Sequence, residues 1–375
     1  MNKKWKKRLD QSGMFILMML VGYGIGMMAG YAAATVMPGK PWLTIAVLLV
    51  MLLVWEQLHV VVHEAGHLAC GRLTGYDFVS FRVGSHIWQK GADGRLHHGR
   101  LTLAGTGGQC LLSPPPMKDG RYPFGLYNAG GAMANFLLSA ILGLAAWLLW
   151  PQPLARVICL EGAILGVAVG LMNIVPLPLA AVANDGSNLL ALMRSPEVRQ
   201  ALWLQTKINA LLASGLRLRE MPEELFPDIP EEALSQPMVM GSAIMKANRS
   251  MDAGEFHAAL TAIRRLLEQE QNMLPLYRAM LMCDGATLEL LMDEPPALAQ
   301  ALEAKETALL LKAMKTMPPV LRTKVVIALL RDHDLEGAKK LQEAFDKAAA
   351  TWPNPQEIEG ERELMRLAEE KAGKE

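Results

Sequence analysis

The stretch HVVVHEAGHLAC, residues 59–70, puts three histidines and a glutamate at the end of a long apolar run. His63 and His67 are separated by one helical turn, so on an α-helix both imidazoles lie on the same face. Two such rings can bind one metal ion. Glu64 follows His63, about 100° further round the helix. From there its carboxylate can reach a water at the metal without being a ligand, the logic of an H-E-x-x-H hydrolytic site. The surroundings strengthen this reading, because an ionisable side chain at mid-membrane costs about 2.5 kcal/mol or more unless it is paired or metal-bound.

Reading outward, the 375-residue chain is 51% apolar with a positive mean hydropathy, which points to a membrane protein. Its 37 basic and 37 acidic residues balance, so no basic face nominates a nucleic-acid partner. Positions 11–39 carry no charge. Four crossings are expected, at about 14–37, 42–70, 128–150 and 154–175. The first is longer than a signal-peptide core and is read as retained. Its Gly22, Gly26 and Gly30 form a stripe suited to close helix packing. MNKKWKKR precedes the first span, and residues 71–127 carry Arg72, Arg82, Lys90, Arg95, Arg100, Lys118 and Arg121. By the positive-inside rule both termini and this loop face the cytosol.

Three parts follow: a basic cytosolic N-terminus (1–13), a membrane domain (14–194) and a cytosolic helical domain (195–375). The loop 71–127 reads as β-rich. DFVSFRVGSHIWQK and RLHHGRLTLAG flank GADG in the manner of a hairpin, whereas GTGGQCLLSPPP is expected to break regular structure. MPEELFPDIPEE reads as a linker. Beyond it Phe256, Ala259, Leu260, Ile263 and Leu267 make one apolar helical stripe, and Leu335, Ala338, Leu341 and Phe345 another. Helical hairpins loosely similar to tetratricopeptide units are expected, without a fixed period. EGERELMRLAEEKAGKE reads as a solvated helix. Cys70, Cys110, Cys159 and Cys283 form no C-x-x-C pair and read as free thiols.

A tetrahedral centre needs further ligands. His59, one turn before His63, is either a third ligand or a structural partner, and the structural role is preferred because three turns of one straight helix converge poorly on one ion. Asp185, in NIVPLPLAAVANDGSNLL, is the best candidate from elsewhere, since spans two and four end on the same side. Asp185 and Ser187 could instead cap the next helix. His86, His97 and His98 are the rival ligands.

These residues resemble the site-2 protease family of intramembrane zinc metalloproteases. HEAGH on the second span, NAGGAMAN (128–135) on the third, and NIVPLP followed by NDG at the fourth carry the resemblance, which covers about 14–190 and leaves out the C-terminal domain. It implies Zn2+ held by His63, His67 and Asp185, with Glu64 as general base and proton carrier. It also implies that Asn135 and Asn173 position substrate or stabilise the oxyanion, against a plain role in interhelical hydrogen bonding. The chain departs from the family in a longer Asn173-to-Asp185 spacing, by about one helical turn of chain, and in lacking a recognisable PDZ or cystathionine-synthase-type domain.

The fold expected is thus an α-helical membrane protein with four transmembrane helices, a cytosolic β-rich insertion and a cytosolic all-α domain, in a bacterial cell membrane. The function expected is hydrolysis of peptide bonds in membrane-embedded or membrane-adjacent protein or peptide substrates by a zinc-activated water. An exposed edge along DFVSFRVGSH would hold the substrate extended. The alternative is a non-hydrolytic metal-binding scaffold that recruits a cytosolic partner through its C-terminal helices.

Overall fold

A computed structural model of the chain describes residues 19, 21–91, 93–100, 107–176, 184–269, 273, 275–352 and 354–374. It is 72% helical. The chain divides into two compact units, one of 1–85 with 102–196 and one of 86–101 with 197–375.

In the first unit, helix α1 (21–35) is followed by α2 (Pro41–Leu73), α3 (Phe124–Leu148) and α4 (Pro153–Ile174). The last three are long and apolar enough to cross a membrane. Their bounds agree with the expected spans. The described part of α1 is shorter than the roughly 20 residues a crossing needs, and the basic N-terminus and the start of that run lie outside the described residues. Large apolar side chains cover the outside of the helices, with Leu49, Val50, Leu53, Leu137, Ile141 and Leu144 all exposed. Water would penalise such a surface; hydrocarbon does not. Trp42, Trp147 and Trp150 are exposed at the start of α2 and the end of α3, and the Arg156 guanidinium lies 3.5 Å from the Trp150 ring centroid. An aromatic girdle with a basic neighbour is what a membrane–water boundary selects.

Glycines set how closely these helices approach. A Cβ on Gly66 would stand 2.3 Å from the Gly130 carbonyl oxygen, and one on Gly130 would stand 2.6 Å from the Gly66 oxygen. Helices α2 and α3 therefore touch backbone to backbone. The α1 stripe differs: among the described residues, a Cβ at Gly22, Gly26 or Gly30 meets nothing within 4 Å. Within the chain α1 packs through Ala32, with Met28 and Ala29 beside it, against Leu48 and Val157.

After α2 come β1 (Asp77–Val83) and β4 (Gly108–Ser113), paired antiparallel from Asp77↔Ser113 to Val83↔Gly108. GTGGQCLLSPPP thus contains a strand where a break was expected. Leu112 is fully buried, with Cys110 and Tyr76, over the end of α2, and that burial outweighs the weak β preference of the glycines. Only the prolines that follow end it. Of the edge expected along 77–86, one side of β1 is taken by its pairing with β4. A short helix α5 (Asp185–Arg194) completes the unit.

The second unit holds the hairpin β2 (His86–Lys90) and β3 (Leu96–Arg100), with Trp88 opposite His98 and the turn closed by Gly91 N–H donating to the Arg95 carbonyl. GADG does form the expected turn, though Ala92 is outside the described residues. The Gln89 amide donates to the Ala213 carbonyl at 3.2 Å and to Asn354 Oδ1 at 3.3 Å, tying the hairpin to the helical part of its unit. That part runs from α6 (Pro196–Ala213) through α7 (Pro237–Asp252), α8 (Phe256–Glu268), α9 (Pro275–Leu291), α10 (Ala297–Ala301), α11 (Lys305–Ala313), α12 (Pro318–Leu330) and α13 (Leu335–Ala349) to α14 (Pro355–Ala372).

Three expectations change here. MPEELFPDIPEE is packed rather than free: Met221 and Phe226 are buried against Ile208 and Leu212. The α8 stripe is buried through Ala259, Leu260, Ile263 and Leu266, but in α13 Leu335 is 68% exposed while Ala338 and Phe345 are buried. The last helix is not merely solvated, because Leu364, Met365 and Ala368 are buried and Glu361 accepts at 2.7 Å from the fully buried Arg322. Arg322 also binds Asp284 at 2.5 Å, so the charge is matched on both sides.

Candidate metal centre

The last two turns of α2 before Gly71 carry the opening motif, and they face α3 and α5. The Nε2 atoms of His63 and His67 are 3.1 Å apart. Asp185 Oδ2 lies 3.1 Å from the first and 3.3 Å from the second. Among the described residues this is the only group of three or more such side chains that could hold a metal ion. The donor chemistry fits one: ligands about 2.0–2.1 Å from a tetrahedral centre stand roughly 3.3 Å from one another, and two imidazole nitrogens with one carboxylate oxygen leave a fourth position open. Burial alone would raise the Asp185 carboxyl, but hydrogen bonds and charge from the facing imidazoles of His63 and His67 outweigh it and hold the group at about 2.

Asp185 reaches the histidines because Asn184 fixes the start of α5. The Asn184 side-chain oxygen accepts from Ser187 N–H at 3.0 Å as the helix N-cap. Its amide nitrogen donates to the Met172 carbonyl at 2.7 Å and the Val175 carbonyl at 2.6 Å, at the end of α4. Capping thus falls to Asn184, leaving Asp185 at the first helical position and aimed at the histidines. Gly186 completes the turn: a Cβ there would stand 2.0 Å from the Ile174 carbonyl oxygen. The LAAVA insertion responsible for the long spacing lies outside the described residues.

Helix α3 shapes the other wall. A Cβ on Gly131 would meet His63 Nε2 at 2.5 Å and His67 Nε2 at 2.6 Å, so the second glycine of NAGGAMAN is the space both imidazoles occupy. One turn on, the fully buried Asn135 contacts His63 Nδ1 through Nδ2 at 3.2 Å and His59 Nδ1 through Oδ1 at 3.4 Å. His67 Nδ1 is 2.7 Å from the Tyr127 carbonyl oxygen, which can only accept, so that nitrogen carries the proton and Nε2 is free to bind.

Glu64 is buried, and β4 comes down on it: a Cβ on Gly108 would stand 2.6 Å from the Glu64 Cγ and Oε1. Arg82, buried in β1, donates to the carbonyls of Gly84 at 2.6 Å and Gly108 at 3.1 Å, which fixes that strand end. Cys110, also on β4, has its thiol pushed up to about 12 by burial and by the Glu64 charge. It keeps its proton at neutral pH and offers no thiolate nucleophile.

The remaining sequence candidates lie elsewhere. Asn173 donates to the Val169 carbonyl at 2.9 Å within α4. His86 contacts His98 at 3.0 Å, and His97 contacts Asp93 at 2.9 Å, so the rival ligands have partners within the hairpin and are not in the cluster. His59 is no ligand; its Nε2 bonds the Gly162 carbonyl at 2.9 Å. Sequence reasoning missed Gly131, Gly108 and Asn184. No family model matches the chain, and neither a curated protein nor a solved structure matches it.

Proposed function

We propose that the chain is an intramembrane zinc metalloprotease of the site-2 protease type, with Zn2+ held by His63, His67 and Asp185. One observation carries the reading: the three donor atoms lie within 3.3 Å of one another, at the end of a 33-residue apolar helix, with Glu64 adjacent. When bound, zinc supplies Lewis acidity toward a water and a substrate carbonyl. Glu64 takes the proton from the attacking water on its carboxylate and passes it to the leaving amine nitrogen. Closure of β4 over Glu64 limits bulk water at that carboxylate. Among the described strands of its unit β4 pairs with β1 alone, and its other edge receives an extended substrate segment. Asn135 acts on the histidines, and the Asn173 side chain bonds within its own helix.

In this reading residues 14–37 form a fourth crossing, the centre lies near the cytosolic face, and both termini are cytosolic, in line with the basic residues of 71–127. Substrates are single-span proteins or membrane-adjacent peptides, and the C-terminal helices recruit a cytosolic partner. The test compares membranes carrying the wild type or Glu64→Gln by mass spectrometry of new protein termini. Cleavage products lost in the variant, with zinc retained, support the proposal. Zinc without products in either sample would favour a non-hydrolytic scaffold.

A further inference from the structure

A neutral imidazole carries one proton, so a histidine that binds metal through Nε2 must hold its proton on Nδ1. For His67 the Tyr127 carbonyl enforces this. For His63 the facing group is the Asn135 carboxamide, which can donate or accept. A third residue decides between them. His59 Nε2 is 2.9 Å from the Gly162 carbonyl oxygen, a pure acceptor, so a neutral His59 is protonated on Nε2 and presents a lone pair at Nδ1. That lone pair calls for an N–H from Asn135, 3.4 Å away. The two ends of a carboxamide have nearly the same shape, and turning the group over exchanges them in place. With its NH2 toward His59, Asn135 turns its oxygen to His63, where Nδ1–H donates to it and Nε2 is left free.

The opposite orientation, oxygen toward His59, requires protons on both His59 nitrogens. That would be a cation with 0% exposure inside the helix bundle, bonded to a carbonyl and an amide and to no carboxylate. It would also place the His63 proton on Nε2, where the metal must bind. The packing is built around His59: a Cβ on Gly166 would stand 2.1 Å from its Cε1. We propose that His59 is a positioning residue for the metal centre: through Asn135 it holds His63 in the Nδ1–H tautomer that leaves Nε2 free for zinc. This rests on the metal site proposed above.

The test measures zinc affinity of the detergent-solubilised full chain by competition with a chelator. His59→Leu is expected to weaken zinc binding 10- to 100-fold. His59→Gln, which can accept from Asn135 and donate to Gly162, restores most of it. In an Asn135→Asp background, whose carboxylate accepts from His63 unaided, adding His59→Leu costs little further affinity. Wild-type affinity in His59→Leu overturns the proposal, as does equal weakening by the Gln and Leu variants. Nitrogen-15 NMR of histidine-labelled, zinc-loaded wild type gives a reading that needs no variant: His59 protonated on Nε2 alone is expected, and protonation on Nδ1 overturns the proposal. Zinc bound by the wild type with no effect of His59 removes only this inference; a wild type that binds no zinc removes the metal site as well.

Discussion

Gly131→Ala tests whether α3 is shaped around the paired imidazoles. The added methyl would lie 2.5 Å from His63 Cε1 and Nε2 and 2.6 Å from His67 Nε2. Carbon contacts settle at about 3.5–4.0 Å, so the rings must retreat by roughly 1 Å. They cannot do so together and keep Asp185 Oδ2 at 3.1 and 3.3 Å. Two effects on stability oppose each other. Alanine improves a helix interior by about 0.5–1 kcal/mol, while overpacking costs about 1–3 kcal/mol. The net change in thermal midpoint is therefore small, and the damage falls on metal binding, expected to weaken at least 10-fold as for a displaced ligand. Zinc titration with chelator competition, beside a thermal melt, separates the two. Gly143→Ala is the control on the same helix, since its Cβ meets nothing within 4 Å. Wild-type zinc affinity in a folded Gly131→Ala protein would show that α3 is not shaped around the two rings.

The other predictions use different parts of the molecule. Gly66→Ala, whose methyl would collide with the Gly130 carbonyl, should lower the thermal midpoint in detergent markedly, and an unchanged midpoint would contradict the backbone contact between α2 and α3. Glu161 is 1% exposed in α4 and its Oε2 has no hydrogen-bond partner among the described residues, so Glu161→Leu should stabilise the fold by about 1–3 kcal/mol, read as a raised midpoint. Arg322→Met would leave Asp284 and Glu361 without their counter-charge at a cost of about 3–5 kcal/mol. Hydrogen exchange across α12 and α14 should report that loosening, and Asp284→Asn with Glu361→Gln should recover part of it.

What the sequence made legible was whatever one helix or one apolar run encodes by itself. The spacing of His63 and His67 brings their rings together on α2 without help from the rest of the fold, and the three apolar helices follow from composition. Asp185 was reachable because Asn-Asp-Gly follows the span that ends beside them. Gly131, Gly108 and Asn184 were not, since their roles depend on what approaches from another element: two imidazoles, a glutamate and the end of α4. The strand Gly108–Ser113 was hidden by the glycines at and before its start and by the prolines after it, because its burial against α2 is a tertiary effect. The burial in α14 was obscured by alternating charge, with Glu361 paired across helices and not along its own.

If α2 and α5 build one metal site, as proposed, the ion should remain with the purified chain. Metal analysis of the purified, detergent-solubilised chain tests it most directly, with wild type, His67→Ala and Asp185→Ala prepared in parallel. One zinc per folded wild-type chain is expected, with little or none in either variant. A folded wild type without metal, or variants that keep it, would rule the site out.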